Sequence, residues 1–172
     1  HGDHRGWFFE SYHEKRFHNV GIQCRFVQDN LSYSPRGTLR GLHYQHPHSQ
    51  AKLVQILAGE VFDVAVDIRI GSPNFGKWTG QILNAKNKRQ MFVPEGFAHG
   101  FCVLSPEALF TYKCSDFYAP ECEASIIWSD PDIGITWPVT EPLLSVKDNA
   151  FSLLRDIPPE KLPAYTNRGS QS

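Results

Sequence analysis

Two histidines at fixed distances from glycine and proline are the residues of this sequence best suited to chemistry. His43 ends the run Gly37-Thr-Leu-Arg-Gly-Leu-His43, and about fifty residues later His99 ends Pro94-Glu-Gly-Phe-Ala-His99. An imidazole titrates near neutral pH, so a histidine held in an apolar cup without a metal ion is suited to proton transfer. The spacing therefore predicts acid–base chemistry on a small ligand.

A metal centre is the alternative use of the same spacing. Gly-x5-His and Pro-x-Gly-x2-His are the skeletons of the two cupin motifs, and in metal-binding cupins the first continues as His-x-His followed by a glutamate. Here Gln45 stands at the second histidine position and residues 49–53 contain no acid, so two of the four ligands are missing. His46 and His48 could substitute, but they flank Pro47, where an exposed polar cluster is the simpler interpretation. We therefore expect no metal site.

The elements that must position these histidines are strands. Short alternating segments separated by Gly, Pro, Asn and Asp dominate the chain, a pattern that predicts a mostly β protein. The clearest strand is 60–69, with apolar residues from Phe62 to Ile68 on one face and Asp63 and Asp67 on the other, which predicts one dry and one polar side. The other expected strands are 22–28, 39–45, 52–58, 77–84, 89–93, 99–104, 108–114 and 124–128.

About nine strands at this spacing predict an all-β fold, either a jelly roll or another closed antiparallel β barrel. The segments 9–18 and 148–155 are expected to form short helices. A chain of 172 residues is long enough for one buried core. We therefore predict a single domain over residues 1–172, in which the polar residues 165–172 form a loose tail.

Composition and charge exclude several classes of protein. Lys and Arg number 17 against 18 for Asp and Glu, a net charge of -1, so no nucleic-acid or membrane partner is expected. No stretch approaches the ~18 apolar residues of a membrane span, and no signal peptide is evident, which predicts a soluble cytoplasmic protein. The four cysteines form no Cys-x-x-Cys pair and are expected to be reduced packing residues, with Cys114 and Cys122 as the pair to check.

The strand that carries His43 determines which side chains reach a pocket. Small barrels bind ligands at their mouth, which is lined by inward-pointing side chains. Strict alternation along 39–45 places His43 and Gln45 on one face and Arg40 on the other. A half-buried strand histidine usually bonds a backbone carbonyl instead of doing chemistry, so the functional interpretation depends on the residues around His43.

Seven longer motifs occur in a fixed order along nearly the whole chain. They are Arg5-Gly-Trp-Phe-Phe-Glu-Ser, Phe26-Val-Gln-Asp-Asn, Leu39-Arg-Gly-Leu-His-Tyr-Gln, Gly59-Glu-Val-Phe-Asp-Val-Ala-Val-Asp-Ile-Arg, Val93-Pro-Glu-Gly-Phe-Ala-His-Gly-Phe, Trp128-Ser-Asp-Pro-Asp-Ile-Gly-Ile-Thr-Trp-Pro and Ser145-Val-Lys-Asp. Together they resemble the cupin-fold dTDP-4-dehydrorhamnose 3,5-epimerases. The resemblance implies a cupin-type jelly-roll barrel with a few short helices. It also implies an isomerase without metal or organic cofactor, which epimerises dTDP-4-dehydro-6-deoxy-D-glucose at C3 and C5 in dTDP-L-rhamnose biosynthesis.

The resemblance also assigns the proton carriers. The C4 ketone of that substrate acidifies the hydrogens on C3 and C5, so a base can remove one, and an acid can return a proton to the opposite face of the enolate. His43 resembles the base, and Asp148 resembles the carboxylate that orients its ring. Tyr112 resembles the acid on the far face, and Lys52 the cation near O4. Without the resemblance, Asp148 would be interpreted as a helix N-cap, Tyr112 as a packing residue and Lys52 as a solvated strand-edge lysine.

Nucleotide binding must depend on cations and aromatic rings, because the sequence contains neither a Walker A motif nor Gly-x-Gly-x2-Gly. The substrate-binding residues implied by the resemblance are Arg5, Phe8, Glu10, Gln28, Asn30, Arg40, His99, Tyr118 and Glu123. Phe8 and Tyr118 would be flat partners for thymine or sugar, whereas His99 is equally well explained as a hydrogen-bonding core residue. Arg40 requires either a bulge in its strand or a role in an adjacent site at a subunit contact.

The family resemblance implies a homodimer in which an N-terminal strand contributes to the sheet and pocket of the partner. Three alternatives to a 3,5-epimerase remain open from sequence. One is an epimerase that inverts only C3 or only C5 of another dTDP-deoxysugar. The others are a metal-dependent cupin oxygenase or isomerase and a non-catalytic cupin that binds nucleotide sugars.

Overall fold

The computed structural model describes residues 2–166, and these form two large antiparallel sheets and a small hairpin. The strands are β1 (Gly2–Asp3), β2 (Gly6–Trp7), β3 (Gln28–Pro35), β4 (Leu39–Gln45), β5 (Lys52–Ala58), β6 (Glu60–Asp67), β7 (Trp78–Asn84), β8 (Gln90–Val93), β9 (Phe97–Val103), β10 (Glu107–Cys114) and β11 (Glu123–Ser125). The helices are α1 (Glu14–Asn19) and the 3-10 turns Pro120–Cys122, Asp148–Ala150, Leu154–Asp156 and Pro159–Lys161. None of the helices within this described range is long and apolar enough to cross a membrane.

The main core lies between the two large sheets. Their strand orders are β3-β10-β5-β8 and β11-β4-β9-β6-β7, with antiparallel neighbours throughout. Val54 and Phe110 of the first sheet pack in one cluster with Ala65 and Phe101 of the second, and the rings of Phe101 and Phe110 stack 4.0 Å apart. Burial of these apolar side chains holds the sheets face to face. The prediction of an all-β antiparallel fold is confirmed.

The inner strands of the five-stranded sheet are buried on both of their faces. Leu42 and Val64 point away from the barrel interior and pack in a second cluster with Leu154 and Leu162 of the C-terminal segment. A parallel bridge between Ile126 and Ser152 helps to fix that segment against the sheet. Residues 126–162 therefore cover the outer face of the sheet that carries His43.

The double burial corrects the expectation for β6. Phe62, Val64 and Val66 do share one apolar face, but the side of Asp63 and Asp67 is not solvated, because these carboxylates are 0% and 1% exposed. A buried carboxylate needs hydrogen-bond donors or a cation. Both have them, as Asp63 contacts His99 and Asp67 accepts hydrogen bonds from Arg69 and Ser72.

The other expected elements agree with the structure to different degrees. Strands occur close to all the expected ranges except 22–28, where residues 22–27 form no strand and the strand instead runs over Gln28–Pro35. The expected helix 9–18 is limited to Glu14–Asn19, and 148–155 contains two 3-10 turns.

The cysteines and the chain end bear on two further expectations. All four cysteines are unpaired, including Cys114 and Cys122, as expected. Of the predicted tail, Tyr165 donates a backbone hydrogen bond to the carbonyl of Ile70, and residues 167–172 lie outside the described residues.

Candidate active site

A bulge in β4 brings Arg40 and His43 to the same side of the sheet. Arg40 pairs with Phe101 and His43 pairs with His99, so three steps along β4 match two steps along β9. Residues two apart on a regular strand point the same way, so the partners of Phe101 and His99 also share one side. That side is the barrel interior, because Phe101 belongs to the main core. The bulge in β4, one of the two explanations that the sequence allowed for Arg40, is therefore present.

Gly41 is the residue that makes the bulge possible. Its φ is +119°, and a Cβ built there would lie 2.7 Å from both Gly100 Cα and the carbonyl oxygen of His99. Only glycine adopts this backbone conformation readily and lets two strands approach so closely. Gly41 thus allows the side chains of both Arg40 and His43 to face the barrel interior.

His43 is held by a buried carboxylate. Its Nε2 lies 2.7 Å from Asp148 Oδ1, and the Asp148 side chain comes from the 3-10 turn after residue 147 and is only 4% exposed. Ser145 donates a hydrogen bond from Oγ to Asp148 Oδ2 at 2.6 Å and accepts one from the backbone N–H of Asp148 at 3.0 Å. Phe151 presents its ring to that of His43 with centroids 5.8 Å apart. Both the carboxylate and the imidazole are therefore fixed in orientation.

The charge state of Asp148 follows from its contacts. Burial alone would raise the pKa of this carboxyl group, but hydrogen bonds from His43 and Ser145, the charge of His43 and the Gly41 N–H outweigh burial and lower the pKa. The carboxylate is consequently ionised at neutral pH and can only accept hydrogen bonds. Nε2 of His43 must then carry a proton, which leaves Nδ1 as the basic nitrogen of the neutral ring.

Tyr112 and Lys52 lie on the opposite sheet. Tyr112 of β10 is aligned with Asn30 of β3 and Val54 of β5. Cys114, two residues after Tyr112, is aligned with Gln28 of β3 and Lys52 of β5. Val54 belongs to the main core, so its aligned partners also face inward. Side chains two residues apart on a strand share a face, which places Gln28, Lys52 and Cys114 on the inner face as well. The inner face of this sheet therefore presents a phenol, a cation and two amides toward His43.

Burial sets the protonation of the phenol and shifts that of the amine. It raises the pKa of Tyr112 to about 12, with Cys114 adding to the rise and the charge of Arg40 opposing it. It lowers the pKa of Lys52, against the opposing effects of Cys114, Asp63 and Glu123. The Lys52 ammonium lies 5.9 Å from the centroid of the Tyr112 ring. Tyr112 is thus a protonated donor at neutral pH.

His99 forms a second carboxylate–imidazole pair at the base of the interior. Its Nε2 is 2.8 Å from Asp63 Oδ1, and the two residues are 6% and 0% exposed. The second oxygen, Asp63 Oδ2, has no hydrogen-bond partner in the described part of the chain. His99 is therefore adjacent to His43 in the sheet but held by a carboxylate of its own.

Glu123, Tyr118 and Lys147 form a polar rim beside His43. The hydroxyl of Tyr118 donates to Glu123 Oε2 at 3.1 Å, and Lys147 donates to the same oxygen at 2.5 Å. Burial alone would raise the pKa of Glu123, but these two donors and the charge of His43 lower it. Glu123 is therefore an ionised acceptor close to the base.

Three of the predicted binding residues, Arg5, Phe8 and Glu10, do not lie in the pocket of their own chain. Arg5 pairs with Asp3 at 2.5 Å and Glu10 pairs with Arg16 at 3.2 Å, so both make their ion pairs within the N-terminal segment. Phe8 is 73% exposed. By contrast, the other predicted site residues lie on the inner faces or at the rim: His43, Tyr112, Asp148, Lys52, Gln28, Asn30, Arg40, His99, Tyr118 and Glu123.

Four polar residues of this region were not predicted as site residues. Ser145 and Lys147 belong to the motif Ser145-Val-Lys-Asp but were not singled out within it, and Asp63 was assigned only to the polar side of its strand. Gln45 was expected on the same face of its strand as His43 and was noted as the departure from the metal-binding motif, but it was given no role. It is 6% exposed and hydrogen-bonds the segment that carries Tyr118. Among residues 2–166, no three His, Cys, Asp or Glu side chains are grouped as metal ligands would be.

The chain is similar to known epimerases over most of its length. The family model for dTDP-4-dehydrorhamnose 3,5-epimerase matches residues 1–156. The dTDP-4-dehydrorhamnose 3,5-epimerase of Shigella flexneri is 60% identical over 149 residues, which cover 86% of this chain and 82% of that protein. The enzyme of the same name from Pseudomonas aeruginosa is 59% identical over 157 residues, covering 90% of this chain and 87% of the other.

A solved structure agrees with these relatives. The dTDP-6-deoxy-D-glucose-3,5-epimerase of Legionella pneumophila Philadelphia 1, in complex with dTDP-4-keto-L-rhamnose, is 58% identical and superposes with a TM-score of 0.94. The match covers 96% of this chain and 89% of that one. It confirms the cupin-type jelly roll predicted from sequence. The chain therefore belongs to the dTDP-4-dehydrorhamnose 3,5-epimerase family.

Proposed function

We propose that this protein is a 3,5-epimerase that acts on dTDP-4-dehydro-6-deoxy-D-glucose without a cofactor, in dTDP-L-rhamnose biosynthesis. The observation that carries the proposal is the buried pair of His43 Nε2 and Asp148 Oδ1, 2.7 Å apart, opposite a sheet that presents Tyr112 and Lys52. A base and an acid on opposite walls are what inversion at carbon requires. The substrate is inferred from the enzymes that this chain resembles.

The first step uses His43 as the base. Its Nδ1 takes a proton from C3 or C5, the C–H electron pair forms the C=C bond of an enolate, and the C4 carbonyl electrons move to O4. Asp148 stabilises the imidazolium that results. The Lys52 ammonium stabilises the charge on O4, and such fixed electrostatic contacts are usually the largest contribution to catalysis.

The second step returns a proton from the other wall. The Tyr112 hydroxyl donates its proton to the carbanion-like carbon, the C4 carbonyl re-forms, and the configuration is inverted. Because burial raises the pKa of Tyr112 to about 12, the phenol is weakly acidic. An enolate carbon is basic enough to accept that proton. Before the next cycle, the imidazolium of His43 loses its proton to water and the phenolate takes one from water, so the net transfer from His43 to Tyr112 restores both groups.

The test is NMR of the substrate in heavy water. The active protein is expected to incorporate deuterium at both C3 and C5, and His43→Asn to abolish incorporation at both. Incorporation at one carbon only would contradict the proposal and identify an enzyme that inverts a single centre. Loss of activity after treatment with a chelator, with recovery on adding a metal, would instead support the metal-dependent alternative. Binding without any exchange would identify a non-catalytic protein.

A homodimer is part of the proposal. The outer face of the four-stranded sheet exposes Leu31 and Tyr33 of β3 by 63% and 61%, and Leu57 of β5 by 49%. β3 is also an edge strand, so one side of its backbone is open to pairing. An apolar sheet face of this kind usually marks a protein interface. These features support pairing of two copies through β3, as the family resemblance implied.

Light scattering after size exclusion tests the dimer. We expect a dimer for the native chain and monomers for Leu31→Asp, because a buried unpaired carboxylate opposes association. Ile82→Asp is the matched control, since Ile82 is an exposed apolar residue on the edge strand of the other sheet. A monomeric native protein would contradict the proposal.

The dimer also gives a role to Arg5, Phe8 and Glu10, which we propose bind substrate in the pocket of the partner. Mixed dimers can test this role. His43→Asn and Arg5→Ala protomers are expected to be nearly inactive alone. When mixed, each heterodimer has one pocket with an intact His43 and a native Arg5 from the other chain, so activity should return. No recovery on mixing would show that Arg5 acts within its own chain or not at all.

We also propose that the protein works in the cytoplasm as a single domain over residues 1–172. The support for the location is that Cys24, Cys102, Cys114 and Cys122 are all free thiols. Unpaired cysteines are typical of reducing compartments. The remaining assigned side chains, Gln28, Asn30, Arg40, His99, Tyr118 and Glu123, are proposed to bind the nucleotide and sugar.

A further inference from the structure

The segment that carries Tyr118 has no regular structure of its own. Residues 116–119, here called the Tyr118 segment, connect the end of β10 to the 3-10 turn Pro120–Cys122. Its two aromatic side chains, Phe117 and Tyr118, are 64% and 52% exposed. Exposed loops of this kind usually sample several conformations. Something must therefore hold Tyr118 where its ring can meet a ligand.

Glutamine side chains from three other parts of the chain hold this segment. Four successive backbone groups are involved, at Asp116 O, Phe117 O, Tyr118 N and Ala119 N. Gln50 Nε2 donates to Asp116 O at 2.8 Å, and Gln28 Oε1 accepts from Tyr118 N at 2.9 Å. Gln45 does both, because its Nε2 donates to Phe117 O at 3.2 Å and its Oε1 accepts from Ala119 N at 2.9 Å.

Gln45 is the central member of this set. It is the last residue of β4, is 6% exposed, and its Nε2 also donates to His48 O at 2.9 Å. Both of its N–H donors and its oxygen are thus in use inside the protein. A primary amide is the neutral side chain that supplies two donors and an acceptor in this arrangement. Neither a histidine nor a glutamate at this position could make the same three bonds.

We infer that Gln45 is a positioning residue that holds the Tyr118 segment in the conformation that binds the nucleotide sugar. This inference rests on the proposed function only for the identity of the ligand. Gln45 sits where a metal-binding cupin has its second histidine, two residues beyond His43. In this chain the position has a different use, because its side chain bonds the backbone on either side of Tyr118 instead of a metal ion.

The inference predicts a separation between binding and turnover. Gln45→Leu removes all three hydrogen bonds but keeps an uncharged side chain of similar length. We expect KM to rise roughly tenfold while kcat changes by less than about threefold, since Tyr118 would bind the ligand and not the reacting carbons. The dissociation constant for dTDP alone should rise in parallel with KM. A large fall in kcat with unchanged KM would instead mean that Gln45 merely supports His43, and would overturn the inference.

Gln45→Glu gives a second test that a purely structural residue would not pass. The carboxylate keeps the acceptor for Ala119 N but places negative charge against the carbonyls of His48 and Phe117. Burial next to two carbonyl oxygens raises the pKa of such a group, and its protonated form regains one donor. The ratio of the variant's KM to that of the native protein should therefore fall as pH is lowered. A ratio that is constant with pH would contradict the inference.

Controls separate the failure of this inference from failure of the proposed function. Gln81→Leu and Gln81→Glu make the same changes at an exposed position of β7 and should leave KM and dTDP binding unchanged. Combining Gln45→Leu with Tyr118→Ala should weaken dTDP binding no further than Tyr118→Ala alone, because one acts through the other. Additive losses would overturn the inference. Calorimetry with dTDP needs no turnover, so its result stands even if the native protein shows no epimerisation.

Discussion

Replacing Asp148 by asparagine is the most direct test of the chemistry, because it changes charge and little else. The asparagine side chain has nearly the same size and could still bond Ser145 and His43. Only the negative charge beside the imidazolium is lost. In the native structure that charge is buried and 2.7 Å from His43 Nε2.

The size of the effect follows from the geometry. The charge centres of the carboxylate and the imidazolium are roughly 4 Å apart, and at an effective dielectric constant of about 20 their attraction is about 4 kcal/mol. That attraction exists only after His43 has taken a proton, so it stabilises the transition state and not the bound substrate. Because about 1.4 kcal/mol corresponds to a tenfold change in rate, kcat should fall roughly a thousandfold with KM nearly unchanged.

The assay is the initial rate of deuterium incorporation at C3 and C5, followed by NMR, with circular dichroism to verify folding. Asp132→Asn is a suitable control, because Asp132 is an exposed carboxylate whose ion pair with Arg155 spans 3.3 Å. Exposed pairs contribute little, so this variant should behave like the native protein. If folded Asp148→Asn loses less than about tenfold, the carboxylate does not stabilise the imidazolium and the assignment of His43 as the base fails.

Two further predictions concern the opposite wall. Tyr112→Phe removes the proton donor of one face, so His43 should still exchange protons with solvent while inversion is lost. NMR should therefore show deuterium incorporation with retained configuration. Inversion at the native rate would contradict the role of Tyr112. Burial lowers the pKa of Lys52 from its ordinary value of 10.5, so its ammonium loses its proton, and kcat should decline, at a lower pH than for an exposed lysine. Lys52→Arg should retain its activity to higher pH than the native protein does, because a guanidinium stays protonated, and identical alkaline limbs in the two profiles would show that Lys52 does not set the decline.

The sequence predicted most strands because their apolar residues alternate and point into a core. β3 was missed for the opposite reason. Its inward side chains include Asn30, which is aligned with Tyr112, and the buried Ser34, whereas its outward side chains include the exposed Leu31 and Tyr33. A strand that faces a polar pocket on one side and an uncovered surface on the other has an inverted pattern, and its Asn, Asp, Ser and Pro suggest a turn.

The site was predicted by resemblance more than by pattern. Spacing identified His43 and His99, but the distance between His43 and Asp148 in sequence is 105 residues, and no local rule connects them. Alternation placed Asp63 on the polar side of its strand, but it cannot distinguish a polar face in water from one inside a barrel. Asp63 is buried because its side of β6, shared with Val61 and Ala65, faces the four-stranded sheet, which is a property of the tertiary fold.

The bulge at Gly41 has a consequence for how this site tolerates change. If β4 became a regular strand at its present length, Arg40 and His43, three residues apart, would face opposite sides and one of them would leave the barrel interior. Removing one of the two residues between them at the same time would return both to the same side. Substitutions elsewhere in the barrel alter contacts one at a time, whereas a residue at position 41 that cannot adopt the bulge reassigns a whole row of side chains. We therefore expect glycine at position 41 to be as restricted in functional variants as the histidine itself. In a library that varies both the residue at position 41 and the length of this interval, survivors without Gly41 should be those that also lack one residue between Arg40 and His43, and survivors without Gly41 at full length would contradict this expectation.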